Sequence, residues 1–136
     1  MRFVLGLAAG LLAGCAAVAP APADRAAALD GRVWELPDAG AGRPVTLEFS
    51  LRDGGALAVG GYDGCNRFNG PAELSEGEGI RFERLAFTRM ACLGSTGAIE
   101  RRVQAALGET RAMRLAGTAL SLLDGRGQTL MVFQRQ

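Results

Sequence analysis

The chain has 136 residues, with 15 basic and 14 acidic side chains, a net charge of +1 and no histidine; every basic residue is an arginine. Without His or Lys it has no imidazole acid/base chemistry, no His-ligated metal, no Schiff base and no phosphate-loop lysine. Balanced charge, with arginines spread along the chain, gives none of the basic footprint that nucleic-acid binding requires, so no nucleic acid, metal or cofactor is expected.

Met1-Arg2 is a short positive start, Phe3 to Ala13 is an unbroken apolar or Gly run, and Leu12-Ala13-Gly14-Cys15 follows. The run is shorter than the roughly 20 residues a bilayer span needs and fits a secretory leader. The segment resembles a lipoprotein signal peptide, with a buried terminal helix or an ordinary cleaved signal as the alternatives. The resemblance implies cleavage after residue 14 and acylation of Cys15, which would anchor the chain to a membrane. In such families Asp directly after the cysteine retains the protein at the inner membrane; Ala16 stands here, so a periplasm-facing outer-membrane location is expected. Residues 15–28 are rich in alanine and proline and read as an extended tether. The folded domain is expected over residues 29–136, a size usual for a single core.

In an exported compartment the remaining even pair, Cys65 and Cys92, reads as a disulfide closing a loop of about 28 residues, worth roughly 3.5 kcal/mol. Two buried thiols or a redox pair are the alternatives, the latter without a C-x-x-C spacing.

Strand signals dominate the domain. Gly31 to Leu36 is a short run closed by Pro37, and Ala39 to Pro44 is a loop. Val45 to Arg52 alternates strictly, placing Val45, Leu47, Phe49 and Leu51 on one face of a half-buried strand. Asp53-Gly54-Gly55 predicts a hairpin turn, with Ala56 to Gly60 returning beside it. Leu74 and Ile80 to Leu85 are joined across Ser75 to Gly79 as a second hairpin. Arg111–Leu115, Ala119–Leu123 and Thr129–Gln134 complete a meander that closes or nearly closes into a small barrel. One segment breaks the period: Ile99, Val103, Ala106 and Leu107 recur at helical spacing, predicting a single α-helix over Gly97–Leu107, capped by Ser95 or Thr96 and ended by Gly108.

Gly60 to Gly70 holds four glycines in eleven positions, so its backbone turns sharply or approaches something closely. If Cys65 and Cys92 are joined, Asn66, Arg67, Asn69, Thr88 and Arg89 come near one another. The group reads first as a buttressed loop whose amides cap strands, with a ligand or partner site as the alternative.

The order G-x-x-W-x-L at Gly31 to Leu36, G-x-x-G-C-N-x-x-x-G at Gly61 to Gly70, T-R-M-A-C at Thr88 to Cys92, Glu100 on the helix and L-x-L at Leu120 to Leu122 resembles the META domain, HslJ-like family. Pro71 after Gly70 and Leu93 after Cys92 are small departures in turn chemistry. The resemblance implies a mainly β fold, a small antiparallel β-barrel-like meander with one α-helix, and a link to heat-shock or envelope stress. It carries no catalytic residues.

The expected function is therefore a non-enzymatic, membrane-anchored periplasmic lipoprotein, an envelope or heat-stress accessory protein acting through binding, with an envelope protein as one candidate partner. Alternatives are an inhibitor or binder of a hydrolase such as lysozyme, and a carrier of a small apolar ligand. A barrel filled by Val33, Leu47, Phe49, Phe82 and Phe133 would rule out the carrier. Asp63 and Glu100 do not stand at a spacing that supports acid/base catalysis.

Overall fold

The computed structural model describes residues 18–40 and 42–136; Cys15 and the leader lie outside them. The alternation of residues 45–52 produces β2 (Thr46–Leu51), with Val45, Leu47 and Phe49 buried and Glu48 and Ser50 exposed. β2 lies between β1 (Val33–Glu35) and β3 (Leu57–Tyr62), pairing Trp34 with Leu47 and Phe49 with Val59. The turn between β2 and β3 is a 3-10 segment, Asp53–Gly55, in which Gly54 and Gly55 both take positive φ and the Arg52 amide bonds to the Ala56 carbonyl at 2.8 Å. β4 (Arg67–Pro71), β5 (Glu73–Leu74), β6 (Ile80–Arg81) and β7 (Ala86–Phe87) follow, and β8 (Ala112–Ala116), β9 (Ala119–Leu123) and β10 (Thr129–Arg135) form the last meander.

Among the described residues these strands form an antiparallel sheet in the order β7-β4-β3-β2-β1-β10-β9-β8 and a separate β5-β6 hairpin. The sheet does not close on itself through a continuous ladder. Across the gap the hairpin reaches β8 through one bridge, Gly79 to Ala112, flanked by Met113 N–H to Glu78 O at 2.9 Å and Ile80 N–H to Arg111 O at 3.1 Å. The enclosed core is filled by Trp34, Leu47, Phe49, Phe82, Leu120 and Phe133. Val33, expected inside, is 36% exposed, because Trp34 takes the inward position on that strand and its neighbour must face out.

Among the described residues two helices pack on the sheet, where the sequence predicts one. Residues 22–28, read as tether, belong to α1 (Pro22–Leu29), opened by proline in its first turn. Ala26 and Leu29 are buried in the common core, and Asp30 just past the helix accepts the Leu51 amide at 2.7 Å. Alanines too small to form a core alone suffice here because one leucine and one arginine anchor the turns. Arg25 is buried and donates from Nη1 to the carbonyls of Ser75 (3.0 Å) and Gly79 (3.2 Å), clamping the β5–β6 turn. Burial lowers the Arg25 pKa, and the Glu78 charge opposes this.

α2 (Gly94–Glu109) buries Ile99, Val103, Ala106 and Leu107, the stripe read from the sequence. Its ends differ from expectation. Leu93 is the N-cap, Ser95 and Thr96 lie inside the first turn, and no side chain caps the start. Gly108 is helical; the helix stops at Thr110, whose hydroxyl donates to the Ala106 carbonyl at 2.7 Å.

Candidate functional site

The sharp turn after β3 is built by Asp63. Its Oδ1 accepts the amides of Cys65 (2.9 Å) and Asn66 (2.6 Å), while its own amide donates to the Asn66 carbonyl at 2.9 Å. Short acidic side chains favour such turns because they mimic a backbone acceptor. Gly64 sits inside the loop at φ +103°, and a Cβ there would lie 2.8 Å from Cγ2 of Ile99, so α2 rests directly on loop backbone.

Cys65 and Cys92 are disulfide-bonded, with Cα atoms 5.9 Å apart. The bond ties the loop to the segment entering α2. Asn66, buried, extends the connection: Oδ1 accepts the Met90 amide (2.7 Å) and the Thr88 hydroxyl (3.0 Å), and Nδ2 donates to Glu100 Oε1 at 2.9 Å. Thr88 Oγ1 in turn accepts the Arg67 amide at 3.1 Å. Gln104, one helical turn beyond Glu100, donates from Nε2 to Asp63 Oδ2 (2.8 Å) and to Glu100 Oε1 (3.3 Å). Asp63, Asn66, Glu100 and Gln104 thus form one connected polar network between loop and helix.

The structure brings Asn66 and Thr88 together, as the sequence implied, with Arg67 and Arg89 beside them as exposed side chains. It separates Asn69. This residue pairs with Gly60 and Ala86, is exposed, and lies three positions along β4 from Asn66. It lines a different hollow with Arg32, Glu48 and Ser50, because strand alternation takes it to the outward face. The sequence reading missed Gln104 as a member of the network. Its spacing of four from Glu100 was the available signal.

Above the network lies an open groove of about 620 Å³, lined by Leu85 to Ala91 along one wall, Asn66 on the floor, and Glu100 and Gln104 from α2. Met90 in its lining is 65% exposed, and Leu93, three residues on at the start of α2, is 90% exposed. Among the described residues no three His, Cys, Asp or Glu side chains are grouped so as to hold a metal ion.

A curled antiparallel meander with a covering helix and a disulfide-braced open groove defines a small, mainly β protein. Its family is also established: the META domain family model matches residues 27–136, and the chain belongs to that family. Two solved structures are similar. One is the NMR structure of a protein from Burkholderia xenovorans, 28% identical, covering 94% of this chain and 99% of the other at TM-score 0.63. The second, also an NMR structure of a protein, is 24% identical, covering 80% of this chain and 92% of the other at TM-score 0.58, and shows the shared fold. No curated protein matches the chain. The family match begins at residue 27, inside α1.

Proposed function

We propose that this META-domain protein is a non-enzymatic binding module of the cell envelope, anchored by lipid on Cys15, that engages a protein partner through the groove between β7 and α2. The observation that carries this reading is the investment of structure beneath the groove. A disulfide and four interlocked polar side chains fix an otherwise open surface, which is how a rigid recognition surface is made. Apolar Met90 standing in solvent in its lining, with exposed Leu93 at the N-cap of α2, fits a contact surface. The side chains filling the interior speak against the alternative of an apolar-ligand carrier. Because α1 begins at Pro22, six residues, Ala16 to Ala21, separate Cys15 from the folded body. Fully extended they reach about 20 Å, so an anchored domain stays close to its membrane.

The test is site-specific photocrosslinking in intact cells, with a benzophenone amino acid at Ala91 in the groove and at Gln128 in the β9–β10 turn. A discrete adduct from Ala91 absent from Gln128 is expected. No adduct at Ala91, or the same adducts at both positions, overturns the reading. Membrane fractionation checks the anchor: Cys15→Ser is expected to release the protein, and continued membrane association overturns that part.

A further inference from the structure

β7 is the edge strand of the sheet, and its hydrogen-bonding phase decides which way its backbone points. The Thr88 amide donates to the Arg67 carbonyl at 2.9 Å, and the next pair inward is Phe87 with Phe68. In an antiparallel ladder bonded and non-bonded pairs alternate, so Phe87 is a non-bonded position and its N–H and C=O point away from β4. Among the described residues neither group has a hydrogen-bond partner. Phe87 lines the groove, so the free edge opens into it.

The far wall carries charge. Glu100 is half-buried, and both amides that reach it, from Asn66 and Gln104, bond the same oxygen, Oε1. Oε2 has no donor among the described residues. Behind it Asp63 is fully buried. The ion pairs found among the described residues are Arg81–Glu83, Arg84–Glu73 and Arg114–Glu78, so both carboxylates of the network are held by neutral amides alone. Arg89 stands exposed on the rim and pairs with neither. Glu100, which lines the groove without an ion-pair partner, and the free strand edge of β7 define complementarity on two sides.

Building on the proposed binding role of this groove, we propose that its ligand is an extended peptide segment that adds as a strand to β7 through Phe87 and places a Lys or Arg side chain against Glu100. Main-chain bonds to an edge supply affinity without sequence preference, and the basic side chain supplies selectivity. The two-residue length of β7 limits the added strand to a few bonds, so the charged contact carries much of the discrimination.

The test uses the processed protein, 15N-labelled, in detergent micelles, and a library of blocked octapeptides with Thr and Val at alternate positions and Arg, Lys, Gln or Glu at each position in turn. Arg- and Lys-containing peptides are expected to shift the Phe87 amide resonance and slow its exchange. Glu100→Gln, which keeps an acceptor for Asn66, is expected to weaken the best Arg peptide about tenfold and leave Gln peptides unchanged. No peptide shifting Phe87, or Glu peptides binding as well as Arg peptides, overturns the proposal. So does equal binding of the Arg peptide by Glu100→Gln. A partner crosslinked at Ala91 with no peptide effect at Phe87 sinks strand addition while the binding role stands; failure of both sinks both.

Discussion

Replacing Asp63 by alanine removes the acceptor of three hydrogen bonds, at 2.6, 2.8 and 2.9 Å, from the amides of Asn66 and Cys65 and the side chain of Gln104. The two backbone donors belong to buried residues and lose their partner; each orphaned donor costs about 1–3 kcal/mol. Gln104 is only half-buried and can turn to water. Removing a buried carboxylate returns part of its desolvation cost. The net expectation is a loss of about 3 kcal/mol, or roughly 12 °C in Tm at about 4 °C per kcal/mol for a domain of this size. Asp63→Asn keeps Oδ1 for both amides but sets an amide against Gln104 Nε2; flipping the Gln104 amide repairs that contact at the expense of Glu100, so about 1 kcal/mol is expected. Asn66→Ala should fall between the two, since the Met90 amide it abandons lies on an exposed residue. Urea denaturation of the oxidised proteins measures the series. If Asp63→Ala stays within about 0.5 kcal/mol of the parent, or Asp63→Asn costs as much as Asp63→Ala, the network does not hold the loop as argued.

Reducing the Cys65–Cys92 bond, or replacing both residues by serine, opens a 28-residue loop and should lower stability by about 3.5 kcal/mol in denaturant titrations, with far-UV circular dichroism showing the sheet retained at low temperature. Leu29→Ala should cost about 3 kcal/mol and Arg25→Ala about 2 kcal/mol in the same assay; wild-type stability for both would return α1 to the status of a tether. Gly64→Ala should lose about 2–4 kcal/mol, from positive φ and the collision with Ile99 together, whereas Gly125→Ala in the β9–β10 turn should be nearly neutral in thermal melts. Glu78 is held below the usual carboxylate range by its hydrogen bonds to Arg114, and Asp124 by the amides of Gln128 and Arg126. A depressed carboxylate contributes stability that is present above its unfolded pKa and lost as pH falls through the folded one, so denaturation midpoints should hold from pH 8 to about 5 and decline below about 4. Glu78→Gln should flatten that decline.

The strand meander was legible because its elements carry their own signals. Strict alternation in Val45–Leu51 and the Asp53-Gly54-Gly55 turn mark a strand and its reversal without reference to the rest of the chain. The α2 stripe was legible for the same reason. α1 was not, because Pro22–Leu29 has the composition of a linker and owes its order to one leucine entering a core built from residues far along the chain and to carbonyls fifty residues away that receive Arg25. At the site, the pairing of Cys65 with Cys92 put Asn66 beside Thr88 correctly. The sequence could not show that Asn69 turns to the opposite face, since that depends on where β4 starts, nor that Gln104 reaches the turn, since that depends on how α2 lies across Gly64.

Native-state amide exchange at residues 86–88 of the ligand-free protein tests most directly that β7 opens an unfilled edge into the groove. The amides of Ala86 and Thr88 point to β4 and should be protected, while that of Phe87 should exchange orders of magnitude faster. A Phe87 amide as protected as its two neighbours would mean that the edge is already paired, and the groove would have no strand to receive.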